Sequence, residues 1–137
     1  MIRIAAAIAA TGVLLAGCAP TEGEDRFVSE APMASVTGDP VNCLNTAMVR
    51  QSRVHDDRTI DFEVGSRTYR NTLGPGCGGL GFEKSFTYRT SINRLCSGEI
   101  IYVLRTIGGQ LDRGAACSLG EFVPIEYVDR DIDTMRH

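Results

Sequence analysis

Four cysteines, Cys43, Cys77, Cys96 and Cys117, lie within a stretch of under a hundred residues in a chain of 137, and they constrain the fold more than any other feature. Their meaning depends on the compartment. Residues 1–17 hold one basic side chain, Arg3, followed by the apolar runs 4–10 and 13–16. These runs are too short to span a bilayer as a permanent helix and have the form of an export signal. An even number of cysteines in a small exported domain predicts two structural disulfides. Spacing leaves three connectivities open. The expected pairing is Cys77 with Cys96 and Cys43 with Cys117, two loops that nest without crossing. A core this small rarely supplies more than about 3–5 kcal/mol, so such staples decide whether it folds.

Cys18 has a different expected role. The tetrapeptide Leu15-Ala16-Gly17-Cys18 closes the apolar run and resembles the lipobox of bacterial lipoproteins, which implies cleavage before Cys18 and lipid attachment to it. Several acyl chains on one residue make a stable anchor. Ala19 follows where an aspartate would signal inner-membrane retention, so the expected address is the periplasmic face of the outer membrane. Residues 18–41 are then expected to form a flexible linker: they are rich in Pro, Gly, Ser, Thr and acids, and Phe27, Val28, Met33 and Val36 follow no period. The folded domain is expected over residues 42–128. A charged tail, 129–137, with Asp129, Asp131 and Asp133, should fray.

Within the domain, Asp39-Pro40 has the form of an N-cap followed by proline at the first helical position, which predicts one short N-terminal helix with Leu44 and Met48 on one face. Period-two alternation follows. Ile60, Phe62 and Val64 fall on one face and Thr59, Asp61 and Glu63 on the other, the mark of a half-buried strand. Turn chemistry at Asp56-Asp57 and Gly65-Ser66 joins it to strands over 51–55 and 67–73 in an antiparallel meander. Further strands are expected over 85–90, 99–105 and 122–127. Residues 100–104 are apolar without a break and so should form the deepest strand, covered on both faces. Gly108-Gly109 and Asp112-Arg113-Gly114 read as turns. The fold class is therefore mainly β, a small antiparallel sheet or barrel stapled by disulfides.

Several phrases together, Arg53-Val54, Asp56-Asp57-Arg58-Thr59-Ile60, Tyr69-Arg70-Asn71-Thr72-Leu73, Tyr88-Arg89-Thr90, Leu95-Cys96, and Cys117-Ser118-Leu119-Gly120 before Phe122-Val123-Pro124-Ile125, are similar to domain-of-unknown-function family 6491, small exported proteobacterial proteins. The resemblance runs from about Cys43 to Ile125. It implies no activity and carries no catalytic residue across.

Chemistry is sparse. Gly74-x-Gly76-x-x-Gly79 has the spacing of a dinucleotide fingerprint, but Cys77 sits inside it and a strand pattern follows, so a glycine-permitted loop is expected. His55-Asp56-Asp57 is the one place where an imidazole adjoins carboxylates. It is the candidate centre for a small hydrolase or metal-dependent enzyme, although two aspartates at a turn more often cap backbone amides. No Cys-x-x-Cys pair occurs, and only His55 and His137 offer imidazole, so neither a metal nor any other cofactor is expected. A thiol-disulfide redox protein using Cys77 and Cys96 is a further alternative without the usual spacing. No serine lies in a Gly-x-Ser-x-Gly elbow.

Thirteen arginines stand against one lysine, Lys84, in a chain of net charge −3, which falls to −4 once Arg3 leaves with the signal. That sign argues against nucleic acid as a partner. Arginine's planar fork suits carboxylates and phosphates, so Arg53, Arg67, Arg70 and Arg89 are candidates for a face that grips an anionic envelope component. The competing reading is pairing with neighbouring acids. The leading expectation is a binding or structural module of the cell envelope rather than an enzyme.

Overall fold

The computed structural model describes residues 27–90 and 92–128, together with Gly12 and Gly17; the rest of residues 1–26, Cys18 among them, and the tail 129–137 lie outside the described residues. The order is β1 (Ala34–Val36), β2 (Cys43–Asn45), a 3-10 turn (Thr46–Met48), β3 (Val49–Asp56), β4 (Thr59–Val64), β5 (Arg67–Thr72), α1 (Leu80–Glu83), β6 (Phe86–Tyr88), β7 (Arg94–Cys96), β8 (Ile100–Ile107), β9 (Gln110–Ser118) and β10 (Phe122–Tyr127). All pairings between these strands are antiparallel. They make a five-stranded sheet in the order β1-β10-β5-β4-β3, a three-stranded sheet β6-β8-β9 and a ribbon β2-β7. The mainly β class holds, and the form is packed open sheets with β1 and β3 as edges rather than a closed barrel.

The meander forms where alternation placed it. Across β3, β4 and β5, Ser52, Phe62 and Tyr69 share one row and Arg53, Asp61 and Arg70 the next, so each row faces opposite to its neighbour. One face carries Ile60, Phe62, Asn71 and Phe122 into a core completed by Leu44, Leu73, Leu80, Leu95, Ile101 and Val103. Phe62 stands edge-on to Phe122, at 5.6 Å between ring centres, and to Phe86 of the smaller sheet at 6.1 Å. Such pairs add roughly 0.5–1.5 kcal/mol beyond burial.

Four expectations are corrected. The helix predicted after Asp39-Pro40 is absent: Leu44 is in β2 opposite Leu95 and buried, while Met48 is exposed, so the two share no face. The short helices are instead the 3-10 turn, capped by Asn45 Oδ1 accepting from Ala47 N at 3.0 Å, and α1 in the glycine-rich segment. The disulfides are Cys43–Cys96 and Cys77–Cys117. Strand register is the reason for the first, since Cys43 and Cys96 are directly opposed in the β2-β7 ribbon, with Cα atoms 4.0 Å apart. Two bridges are compatible with an extracytoplasmic compartment.

The third correction concerns β8. It is central in its sheet, but Ile101 and Val103 alone are buried while Ile100 is exposed, because only one face meets the core. The deepest strand is β4, where Thr59, Ile60, Asp61 and Phe62 are all buried. Lastly, Asp112-Arg113-Gly114 lies inside β9 rather than in a turn.

Part of the expected linker is built into the fold. Ala34, Ser35 and Val36 pair with Tyr127, Glu126 and Ile125. Upstream, Ser29 Oγ and Glu30 N both donate to Asp56 Oδ2, at 2.8 and 2.9 Å. Residues 29–36 thus form a strap over the polar face of the meander.

A second long-range clamp joins β5 to the turn before β10. The wholly buried Asn71 amide donates to Gly120 O at 2.8 Å and accepts from Gly120 N at 2.9 Å. A Cβ on Gly120 would collide with the Thr72 carbonyl oxygen, and backbone cannot swing aside as a side chain can. Gly120→Ala is therefore expected to lower unfolding stability by about 1–3 kcal/mol in urea denaturation. Gly78→Ala, where a Cβ meets nothing within 4 Å, should stay within about 0.5 kcal/mol.

Candidate functional site

The polar face of the meander converges on Asp61, which is 1% exposed. Alternation after Val54 puts His55 on this face, and a bulge between Val54 and Asp56 brings Asp56, opposite Thr59, to it as well. Arg70 Nε donates to Asp61 Oδ1 at 2.8 Å and Arg70 Nη2 to Oδ2 at 3.0 Å, a two-point grip. The Tyr127 hydroxyl donates to Oδ2 at 2.7 Å, and His55 Nε2 lies 2.8 Å from the same oxygen. An ionised carboxylate only accepts, so His55 carries its proton on Nε2. Arg70 Nη2 also donates to the strap at Pro32 O, 2.9 Å away.

Burial pushes the Asp61 carboxyl up, but hydrogen bonds from Arg70 and Tyr127, the Arg70 charge and the His55 contact outweigh it and hold the acid below its ordinary value. The same pairing raises Arg70. Burial, then the bond to Asp61, pushes the Tyr127 phenol up to about 12. Every group in this cluster is engaged by another. It is a structural lock.

His55, Asp56 and Asp57 turn to three different partners. His55 turns to Asp61. Asp56 Oδ1 accepts from Arg58 N at 2.8 Å, while its Oδ2 holds the strap. Burial raises the Asp56 acid, yet these bonds and a hydroxyl contact from Thr59 bring it below its ordinary value. Asp57 Oδ1 accepts from Gly81 N at 2.7 Å. Both aspartates thus bind backbone amides, as turn chemistry suggests. Among the described residues, no three His, Cys, Asp or Glu side chains gather to hold a metal ion.

The glycine-rich segment leads into α1 rather than directly into a strand. That helix spans four residues, and its Gly81 amide is already taken by Asp57. Cys77 and Cys96 belong to different bridges, and Cys77 and Cys117 are each 2% exposed. The pair on which a redox site would rest is not formed.

The four arginines expected on one anion-binding face are dispersed. Arg53 and Arg70 share the polar face of the meander, but Arg53 pairs with Glu63 at 3.3 Å and Arg70 is locked on Asp61. Arg67, opposite Val64, lies on the other face. It lines a cavity of about 530 Å³ together with Asp39 and Glu126, whose charges disfavour an anion. Arg89 is in the other sheet region altogether, just past β6.

There it has company that the sequence spacing did not suggest. Arg89, Tyr102 and Arg113 line one open cavity of about 450 Å³ with Ile100 and Glu99. Thr87 pairs with Tyr102 and Leu104 with Arg113, which sets all three side chains on the outer face of the β6-β8-β9 sheet. The Arg113 guanidinium stands over the Tyr102 ring, 5.1 Å from its centre, an arrangement that fixes its position without neutralising its charge. The Glu99 carboxylate is turned to the backbone, where it accepts from Cys96 N. Among the described residues, no acid lies within ion-pair distance of Arg89 or Arg113. The one sequence signal was alternation in residues 100–104, hidden by their uniform apolarity.

No family model, curated protein or solved structure matches the chain.

Proposed function

We propose that this protein is a binding module of the bacterial envelope, anchored through lipid on Cys18 to the periplasmic face of the outer membrane. On this reading it is one of the small exported proteins of family 6491, and its working surface is the outer face of the β6-β8-β9 sheet. Its ligand is an anionic envelope polymer bearing carboxylates, such as peptidoglycan. The observation that carries the reading is the pair Arg89 and Arg113 flanking Tyr102 in one cavity, neither within ion-pair distance of an acid among the described residues, while Arg53 and Arg70 are held by Glu63 and Asp61. Two guanidinium forks, one of them held in place over an aromatic ring, offer bidentate grip for carboxylates.

Sedimentation with isolated peptidoglycan fragments tests it. Wild type is expected to bind at low salt and to weaken as salt rises, since exposed charges are screened over roughly 8 Å at physiological ionic strength. Arg89→Glu with Arg113→Glu should weaken binding about tenfold or more. Arg67→Glu, in the separate cavity beside Asp39 and Glu126, should leave it near wild type. Binding that ignores salt and the double reversal would overturn the assignment.

A further inference from the structure

We propose that Phe82, Phe27 and Val28 form a contact face for the lipid leaflet in which the anchor sits. The proposal rests on the reading of Cys18 as the lipidated residue. Phe82 is 88% exposed and Val28 75%, and with Phe27 they line one shallow cavity of about 360 Å³. A benzyl group left this bare is held there by its surroundings. A Cβ on Gly81 would lie 3.0 Å from Asp56 Cα, so α1 is seated directly against the end of β3. The Gly81 amide is bound by Asp57, and Lys84 Nζ donates to His55 O at 3.0 Å on the other side of Phe82. Phe27 and Val28 are placed by the next two residues, Ser29 and Glu30, which both donate to Asp56. The apolar groups are thus presented on a rigid mount.

The length of chain outside the described residues identifies the occupant. Phe27 is nine positions after Cys18. At no more than about 3.6 Å per residue, the contour between them is at most roughly 32 Å. The tether leaves the domain at the patch itself, so the nearest apolar phase is the leaflet holding the acyl chains. Three side chains alone would bind membrane weakly, but a short tether makes the contact intramolecular. Aromatic rings settle well at the headgroup boundary. Glu30, Asp56 and Asp57 line the cavity, the two aspartates already turned to backbone amides, while Arg58 stands over the Phe27 ring, so both signs border the patch. That mixture suits zwitterionic headgroups.

The chain has no tryptophan, so one introduced indole reports its own surroundings. Full-length lipidated protein carrying Phe82→Trp is reconstituted in phosphatidylethanolamine–phosphatidylcholine vesicles, with and without brominated acyl chains. Leu111→Trp, an exposed apolar position outside the patch, is the comparison. Flotation of each variant and of Cys18→Ser is followed alongside. The expected result is co-flotation of both tryptophan variants, with a blue-shifted emission quenched at least about twofold by bromine for Phe82→Trp only. Co-flotation with equal emission and quenching at the two positions would overturn the contact face and leave the anchor standing. Flotation that Cys18→Ser does not abolish, or none in the parent, would overturn the anchor and the proposal with it. A blue shift that needs no vesicles and grows with protein concentration would mean that a second copy covers the patch, which also overturns it.

Discussion

Asp61→Asn is expected to lower unfolding stability by about 3–5 kcal/mol, because it leaves the partly buried Arg70 without its counter-charge. The amide also turns donors toward donors. An amide nitrogen at the Oδ1 position would oppose Arg70 Nε, and at the Oδ2 position it would oppose Tyr127, Arg70 Nη2 and His55. For a domain of this size such a loss corresponds to a drop in Tm of at least about 12 °C. Asp112→Asn is the contrast. It breaks the exposed pair between Asp112 and Arg105, with side-chain exposures of 53% and 44%, and should cost less than about 1 kcal/mol.

The same carboxyl sets a pH dependence whose sign follows from its shift. Asp61 and Asp56 are held below the ordinary value of 3.8 in the folded chain. Their contribution is therefore present above that value and is lost as pH falls through the depressed folded values. Wild type should lose stability progressively below about pH 4, and Asp61→Asn should show a shallower acid slope. Equilibrium urea denaturation across pH, read by circular dichroism, checks both statements. An unchanged acid slope in the variant would show that the cluster does not couple protonation to folding.

Removal of the Cys77–Cys117 bridge, as a double change to serine, is expected to cost about 4 kcal/mol from loop entropy, since the bridge spans 40 residues. Both sulfurs lie in the core, so two buried hydroxyls without assured partners would add to that loss. Loss of Cys43–Cys96 closes off a comparable entropy term over 53 residues, but its cysteines are half-buried and its ribbon stays paired through Leu44 and Leu95. The first variant should therefore be the less stable of the two. Non-reducing peptide mapping of wild type should find these two bridges, and a Cys77–Cys96 peptide would contradict the fold itself.

What could be read from the chain follows from how local each signal is. Alternation in 59–64 and the Gly65-Ser66 turn place β4 and β5 because both are properties of neighbouring residues. β1, β2 and β7 are three residues each, too short for any period to show. They are strands only because a distant partner pairs with them, and the disulfide connectivity depends on one of those pairings. Asp112-Arg113-Gly114 looks like a turn, yet the hairpin continues through it: Asp112 pairs across with Arg105, whose side chain also covers Gly114. Thr59 and Asp61 were assigned to water by the same alternation that placed Ile60 and Phe62. Thr59 meets Ser29 of the strap, a segment whose composition reads as linker, and Asp61 is covered by His55, Arg70 and Tyr127. The proposed anion site is half legible, in Arg89, while Tyr102 and Arg113 join it through sheet register.

The strap also decides how the domain responds to mechanical force. Any pull on the chain ahead of Phe27, against a domain held elsewhere, enters through the contacts of Ser29 and Glu30 on Asp56 and of Arg70 on Pro32. These are single hydrogen bonds, met one after another, and behind them stands a strand of three residues on β10. Tension that passes β1 meets the backbone bonds of Thr37 to Pro124 and of Val41 with Phe122, and then Cys43, where a covalent bridge to Cys96 takes it up. The segment up to Val36 can thus yield first, as a weak fuse, while everything enclosed by the bridge keeps its shape.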